Sequence, residues 1–189
     1  YTLSYTGLTT ISGGILQIGN GGTSGSLAGD VTDSAIVLDS GTAVHFNRSD
    51  DFTYNGLIFG EGSLTKLGAG TLTLGGFQVS SGPTTISEGT LRLAGLFYGG
   101  FWLSDLYVQS GTTLDLQAQD IFGQIPEYIA IRVTIEAGGL VTNGNFFNTL
   151  TDLTLNGGEL RASGGNSADW TAYQLSGTVS VGGTSASSI

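Results

Sequence analysis

The sequence contains no cysteine and only 2 prolines in 189 residues. Without cysteine the chain forms neither a disulfide framework nor a thiolate metal site. Basic residues are also scarce, with 5 lysines and arginines against 15 acidic residues and a formal net charge of −10. Because phosphate binding needs clustered basic side chains, we expect no nucleic-acid partner and no attraction to an anionic membrane surface.

Long hydrophobic runs and helical periodicity are missing as well. No apolar run approaches the roughly 20 residues of a membrane span, so we expect no membrane insertion by this segment. No stretch keeps apolar residues at helical spacing, and 33 glycines interrupt every window. Tyr1 opens directly in strand-like sequence without a signal peptide, which predicts a mature or excised piece of a longer protein.

What the sequence does contain is one short phrase, repeated most clearly within residues 60–93. The phrase is an apolar residue, two small or polar residues, glycine, any residue, and then two apolar residues separated by one. The spaced apolar pair predicts a strand with one buried face, and the glycine predicts a tight corner before it. Its glycine falls at Gly14, Gly41, Gly62, Gly70, Gly89, Gly111, Gly138 and Gly158.

The spacing of these glycines predicts an all-β fold built as a parallel β-helix. Most of the gaps lie near the ~20–30 residues of one solenoid coil, which gives roughly seven to nine coils. The short gap between Gly62 and Gly70 predicts two strands of one coil around the corner at residues 68–70. Residues 9–18 also align without gaps on residues 84–93. We expect one solenoid segment over residues 1–189, with an antiparallel sandwich joined by Asn-Gly turns as the alternative.

Within this fold the alternation assigns individual side chains to the core or to solvent. Leu72, Leu74, Leu91 and Leu93 are predicted to feed the core, whereas Lys66 and Arg92 are predicted to meet solvent. Lys66 stands where the phrase elsewhere has its last apolar residue.

Three blocks in the first half, residues 46–58, 60–74 and 82–93, carry a family resemblance over about residues 5–95. The most specific block contains Leu64-Thr65-Lys66 followed by Gly68-Ala69-Gly70-Thr71. These blocks resemble the autotransporter-associated β-strand repeat of bacterial autotransporter passengers and related surface proteins. The resemblance implies a right-handed parallel β-helix, part of a longer passenger or surface protein, exported to the cell surface or beyond. It implies no catalytic residue, since the repeat itself has none.

Candidate catalytic and metal-binding residues are few. Asp50 and Asp51 form the only adjacent acidic pair, but neighbouring strand residues face opposite ways, which disfavours a glycosidase pair. Arg92 and Arg161 occupy equivalent slots and are expected on one outer face as ordinary surface residues. His45 is the only histidine and is expected to point outward, without a transition-metal site. A further candidate group, expected to be a solvated acidic loop, comprises Asp30, Asp33 and Asp39.

Aromatic residues concentrate in one departure from the repeat. Exposed aromatic rings stack on sugars or anchor protein partners, but we favour the simpler explanation that this group packs into the core or holds a loop onto the coil. The candidate glycan or partner contacts are Phe97, Tyr98, Phe101, Trp102 and Tyr107.

These observations predict a non-catalytic structural or adhesive segment of a secreted or cell-surface bacterial protein. It would act as a rigid stalk or display scaffold, at the outer membrane or beyond, and assemble end to end with other copies or flanking coils. We expect no cofactor and no metal. The alternative is a carbohydrate-binding or carbohydrate-active β-helix that uses an exposed aromatic face and contacts surface glycans.

Overall fold

The computed structural model describes residues 7–27, 35–76, 78–95, 104–122, 131–162 and 172–189. These ranges consist of short strands and the corners between them, and none of their residues lies in a helix able to cross a membrane. The strands are β1 (Thr9–Ile11), β2 (Ile15–Ile18), β3 (Ala35–Leu38), β4 (Ala43–Asn47), β5 (Phe52–Tyr54), β6 (Leu57–Gly60), β7 (Ser63–Leu67), β8 (Thr71–Leu74), β9 (Gln78–Ser80), β10 (Thr84–Ile86), β11 (Thr90–Leu93), β12 (Leu106–Val108), β13 (Thr113–Leu116), β14 (Arg132–Glu136), β15 (Leu140–Thr142), β16 (Asn148–Leu150), β17 (Asp152–Asn156), β18 (Glu159–Arg161), β19 (Tyr173–Leu175) and β20 (Val179–Val181).

These strands form parallel sheets in which each strand pairs with strands one coil away. The long sheet has eight strands, in the order β2-β4-β7-β10-β12-β14-β17-β20. The second sheet has six, β18-β15-β13-β11-β8-β5, and the third side carries β1-β3-β6-β9 and the pair β16-β19. Parallel pairing between strands that are not consecutive in the chain is the arrangement of a solenoid. The predicted all-β parallel helix is therefore confirmed, and the antiparallel sandwich was the wrong alternative.

The number of coils is slightly lower than expected. Within the described ranges, six coils contribute one strand to the long sheet and one to the six-stranded sheet, which makes about six turns rather than seven to nine. One phrase, at Gly14, precedes β2, whose coil has no described strand in the six-stranded sheet, and the phrase also changes corner along the chain. Gly41 and Gly62 precede strands of the long sheet, whereas Gly70 and Gly89 precede strands of the six-stranded sheet.

The same change of corner explains the alignment of residues 9–18 with residues 84–93. The earlier segment forms β1 on the third side and β2 in the long sheet, whereas the later one forms β10 in the long sheet and β11 in the six-stranded sheet. The match thus relates two corners of similar shape, not equivalent positions of two coils. The predicted corner at residues 68–70 is confirmed, since β7 and β8 flank it.

The core consists of apolar rows that run through the stacked strands. All predicted core leucines are at most 2% exposed. Burying such a side chain contributes about 1.5–3 kcal/mol. Because a single coil cannot enclose its own apolar residues, this stabilisation requires neighbouring coils on both sides. One inward row of the six-stranded sheet comprises Leu72, Leu91, Leu114, Val141 and Leu160.

Candidate functional site

The outward face of the long sheet is a regular array of polar side chains. Alternate residues of each strand point away from the core, and the register stacks them one strand spacing, about 4.8 Å, apart. Hydroxyl groups and one phenol ring therefore line a regular face that suits hydrogen bonding to a glycan or protein. This row, hereafter the outer row, comprises Gln17, His45, Thr65, Thr85, Tyr107, Thr134, Thr154 and Ser180. His45 is half-buried here between buried neighbours, as expected for an outward residue.

Tyr107 brings one predicted aromatic contact into this row. It is half-buried in β12. A shallow groove of about 340 Å³ beside it is bordered by Ser81, Pro83, Asp105 and Tyr107. One oxygen of Asp105, Oδ1, accepts a hydrogen bond of 3.0 Å from the backbone N–H of Arg132 in the next coil. The groove thus combines a ring face with an anchored carboxylate. The other predicted contacts, Phe97, Tyr98, Phe101 and Trp102, lie outside the described residues.

The six-stranded sheet places Arg92 and Arg161 on one face, as predicted, with Asp115 between them in the same row. Both guanidinium groups are paired with carboxylates. Arg92 Nε lies 2.8 Å from Asp115 Oδ2, and Arg161 Nε lies 2.7 Å from Glu159 Oε1. Such pairs leave little net positive charge for an acidic sugar to recognise.

Asp50 and Asp51 are engaged in hydrogen bonds at a corner between coils. Arg48 donates to both oxygens of Asp50, at 2.9 and 2.7 Å, and Asp51 Oδ1 accepts from the backbone N–H of Thr71 at 2.9 Å. The bond from Arg48 lowers the pKa of Asp50, and the bond from Thr71 lowers the pKa of Asp51. A general acid at neutral pH needs a raised pKa, so these carboxylates suit a structural role.

The remaining candidate carboxylates form no visible cluster. Asp39 is exposed, while Asp30 and Asp33 lie outside the described residues. In the part of the chain that the structure describes, no group of three or more histidine, aspartate or glutamate side chains is arranged to hold a metal ion.

Comparison with known proteins identifies the repeat. A family model described as passenger-associated-transport-repeat matches residues 2–18 and 64–93. In these two segments the chain carries the passenger-associated-transport repeat. The adhesin BmaC autotransporter of Brucella suis biovar 1 (strain 1330) is 38% identical over 89 residues, which cover 47% of this chain and 2% of that adhesin. No solved structure matches the chain. The resemblance expected over residues 5–95 is thereby confirmed.

The second matched segment contains a residue that the sequence placed wrongly. Lys66 is 2% exposed and lies in an inward row of the long sheet, in register with Phe46 and Ile86. The expectation that it meets solvent was therefore wrong. The sequence did contain a signal of burial, because Lys66 occupies the last apolar position of the repeated phrase. Its charged side chain nevertheless led to the prediction of a surface position.

The Lys66 ammonium group is retained in the interior because backbone carbonyls surround it. Its Nζ donates to the carbonyl oxygens of Leu67 at 3.0 Å, Gly68 at 2.7 Å and Glu88 at 3.1 Å. Burial lowers the pKa of Lys66 below its ordinary value. These bonds use all three ammonium donors, so Lys66 in this repeat ties the corners of two successive coils together.

Arg48 is a second residue whose role the sequence did not reveal. Beyond its pair with Asp50, its guanidinium group donates to backbone carbonyls of the loop at residues 19–25 in the preceding coil. Only its position two residues before an aspartate hinted at a bidentate pair, and nothing in the sequence connected it to a loop more than 20 residues earlier.

Proposed function

We propose that this chain is a non-catalytic, rigid adhesive scaffold displayed at the surface of a bacterium or secreted from it. The observation that carries the proposal is the continuous outer row on a stack of coils, two segments of which match the passenger-associated-transport repeat. The similarity to a protein named an adhesin supports adhesion as the role, although the matched segment is a small part of that protein.

The physical basis of such adhesion is repetition. One hydroxyl group exchanges its bonds with water for bonds with a partner at little net gain. A rigid row of them engages several groups of a partner at once, and each contact after the first forms at high effective concentration. The engagement of Asp50, Asp51, Arg92 and Arg161 in structural bonds supports a role without catalysis.

An adhesion assay on the purified chain tests this proposal. Beads coated with the 189-residue chain are expected to adhere to animal cells or to extracellular matrix. Introducing two negative charges into the outer row, with Thr85→Asp and Thr134→Asp, is expected to reduce adhesion about tenfold by desolvation and repulsion.

The matched control places the same two charges on the six-stranded sheet, with Thr73→Asp and Thr142→Asp. Its net charge is identical, so non-specific repulsion affects both variants equally. Circular dichroism and thermal melting establish that both remain folded. Equal adhesion of the two variants, or no adhesion by the parent chain, would contradict the proposal.

A second candidate function is glycan binding at the groove beside Tyr107. The observation in its favour is the half-buried ring next to the anchored Asp105 carboxylate, since sugars combine ring stacking with bonds from carboxylates to hydroxyl groups. A glycan array with the parent chain and Tyr107→Ala tests it, with Thr154→Ala as the control in the same row. Binding that survives Tyr107→Ala would exclude this groove.

The proposed scaffold also extends by stacking at its end coils, onto flanking coils or other copies. Large apolar side chains are exposed at both ends, with Leu8 and Ile15 at the first coil and Val181 and Ile189 at the last. Edge strands with exposed apolar residues favour further pairing. Sedimentation velocity is expected to show concentration-dependent association, and a monodisperse monomer at high concentration would contradict self-stacking.

A further inference from the structure

Four Asn-Gly pairs occur in the chain, at residues 20–21, 55–56, 143–144 and 156–157. In the sequence they suggested hairpin turns, a role that a solenoid of parallel strands does not need. The pairs share a chemical property instead. Glycine has no side chain to block the approach of its backbone nitrogen to the Cγ atom of the preceding asparagine, and its φ angle adapts freely. Each pair is therefore a candidate for spontaneous deamidation.

This reaction needs only water. Hydroxide removes the proton of the glycine nitrogen, which attacks the asparagine Cγ. A new C–N bond forms, the bond from Cγ to the side-chain nitrogen breaks, and ammonia leaves with a proton from water. Water then adds to either carbonyl carbon of the resulting succinimide and opens the ring. The product is aspartate, or isoaspartate when the backbone continues through the side chain. Because both reacting atoms belong to neighbouring residues, their effective concentration is high.

Two of the pairs are protected in the folded chain. The N–H of Gly21 donates to the carbonyl oxygen of Asn47 at 2.9 Å, so the nitrogen that would attack Asn20 is engaged by the next coil. Asn143 is 0% exposed, so hydroxide and water have no direct access to its pair. Both pairs therefore require local opening before they react.

The third pair, Asn156 and Gly157, is held at both reacting groups. The N–H of Gly157 donates to Ser187 Oγ at 3.0 Å. The amide nitrogen of Asn156 donates to Glu136 Oε1 at 3.1 Å. Ring closure must break these bonds, which slows it in the folded chain.

Asn55 differs from the other three asparagines. It is exposed at the turn between β5 and β6. Within the described residues, no hydrogen bond engages its amide or the N–H of Gly56. The part of the next coil that lies against this pair is Gly75 and Gly76, which carry no side chain to cover the amide. The glycine nitrogen and the asparagine Cγ are thus free to react without opening of the fold.

We propose that Asn55 is a site of spontaneous covalent modification, converted in the folded chain to aspartate and isoaspartate through a succinimide formed with Gly56. The other three Asn-Gly pairs are preserved by the fold. The modification introduces a negative charge and, in isoaspartate, an extra carbon atom into the backbone of this corner.

The corner has little room for a longer backbone. The N–H of Gly75 donates to the carbonyl oxygen of Tyr54 at 3.0 Å, and a Cβ on Gly76 would collide with the carbonyl oxygens of Asn55 and Gly56. The two coils therefore touch here through their backbones. Formation of isoaspartate is expected to loosen this contact.

Incubation of the 189-residue chain at mildly alkaline pH tests the proposal, with one sample folded and a second unfolded in urea. Peptide mapping by mass spectrometry distinguishes asparagine, aspartate and isoaspartate at each pair. In urea all four pairs are expected to react at similar rates. In the folded chain Asn55 is expected to react at least about tenfold faster than each of the others, because they must first lose a hydrogen bond or open locally. Hydrogen exchange at Gly75 is expected to quicken about tenfold in the modified fraction.

Two variants complete the design. Asn55→Gln lengthens the side chain and disfavours ring closure, so it should remove the product and keep exchange at Gly75 slow. Ser187→Ala removes the acceptor of the Gly157 N–H and should speed the reaction of Asn156 severalfold, with Asn55 unchanged.

The outcomes separate the steps of the inference. Reaction of Asn55 no faster than that of Asn20 or Asn156 in the folded chain, or far slower than in urea, would overturn the assignment of the site. Unchanged exchange at Gly75 after modification would overturn the expected loosening of the corner. An unchanged rate at Asn156 in Ser187→Ala would contradict protection by the N–H bond.

Discussion

Two corners of the solenoid use glycine for different physical reasons. At residues 68–70, a Cβ on Gly70 would collide with the backbone carbonyl of Asp50 in the preceding coil, although the φ angle of Gly70 lies outside the left-handed region. At residues 110–112, a Cβ on Gly111 would meet nothing within 4 Å, but its φ of 73° is one that other residues adopt only with strain. The first corner requires glycine for close packing at Gly70 and for a φ of 76° at Gly68, whereas at Gly111 only the backbone conformation requires glycine.

The surroundings of the two corners differ accordingly. The close-packed corner lies inside the second matched repeat segment. There the Lys66 ammonium group donates to two carbonyl oxygens of its own coil and to one of the next coil. The Asp51 carboxylate accepts a further bond from the backbone N–H of Thr71. The open corner is held by the hydroxyl group of Thr112, which donates to the carbonyl oxygen of Gln109 at 2.8 Å. The comparison indicates that successive coils of the matched repeat fit through direct backbone contact, whereas the later corner leaves room for other side chains.

The largest expected effect comes from Gly70→Ala. The added methyl group must displace the backbone of the preceding coil, which we expect to cost about 3 kcal/mol or more of unfolding free energy. Gly111→Ala has space and carries only the cost of a left-handed φ, about 1–2 kcal/mol. Urea unfolding of both variants measures the difference. Equal losses would mean that the two corners do not differ in packing.

The second largest effect is expected from Lys66→Ala, which should lower the free energy of unfolding by about 3 kcal/mol. The substitution leaves three carbonyl oxygens without their ammonium donor and creates a cavity beside them. Lys66→Met keeps most of the side-chain volume without the ammonium donors, so its loss should be smaller. The difference between the two variants in urea unfolding separates packing from hydrogen bonding at the close-packed corner. A Lys66→Ala variant as stable as the parent would show that the ammonium bonds only offset the cost of burying the charge.

The sequence predicted the strands and the corners much better than their arrangement around the axis. Alternation identified Leu72, Leu74, Leu91 and Leu93 correctly because burial follows directly from period two. The alternation gave the wrong prediction at Lys66. The backbone carbonyl oxygens that accept hydrogen bonds from its ammonium group belong to corners of two coils, and no local sequence pattern describes these corners. The sequence also left open which side of the coil follows each glycine, since the same phrase precedes a strand of the long sheet at Gly62 and a strand of the six-stranded sheet at Gly70. At the candidate site, the local concentration of aromatic residues identified Tyr107 as a candidate contact. The outer row that contains Tyr107 could not be predicted, because it depends on the register between strands of successive coils.

A smaller effect is expected at the open corner from Thr112→Val. Valine has nearly the shape of threonine, so the change removes the hydroxyl bond with little cavity and should cost about 1 kcal/mol. Thr112→Ser keeps the hydroxyl group and serves as the control. If Thr112→Val is as damaging as Lys66→Ala in urea unfolding, the open corner depends on side-chain bonding as strongly as the close-packed one.

The smallest effect is expected from Asp51, because this carboxylate at the close-packed corner is exposed and water screens its bond to Thr71. Its pKa in the folded chain lies below the ordinary value, chiefly because of that backbone hydrogen bond. The unfolded chain therefore takes up the proton first as the pH falls, and the stabilisation, complete above the unfolded pKa, is lost as the pH drops through the folded pKa. Melting temperatures measured between neutral and strongly acidic pH should converge for the parent and Asp51→Asn as the acid limit is approached. An unchanged gap across that range would mean that the corner does not depend on the charge of Asp51, and that steric fit alone distinguishes it from the open corner.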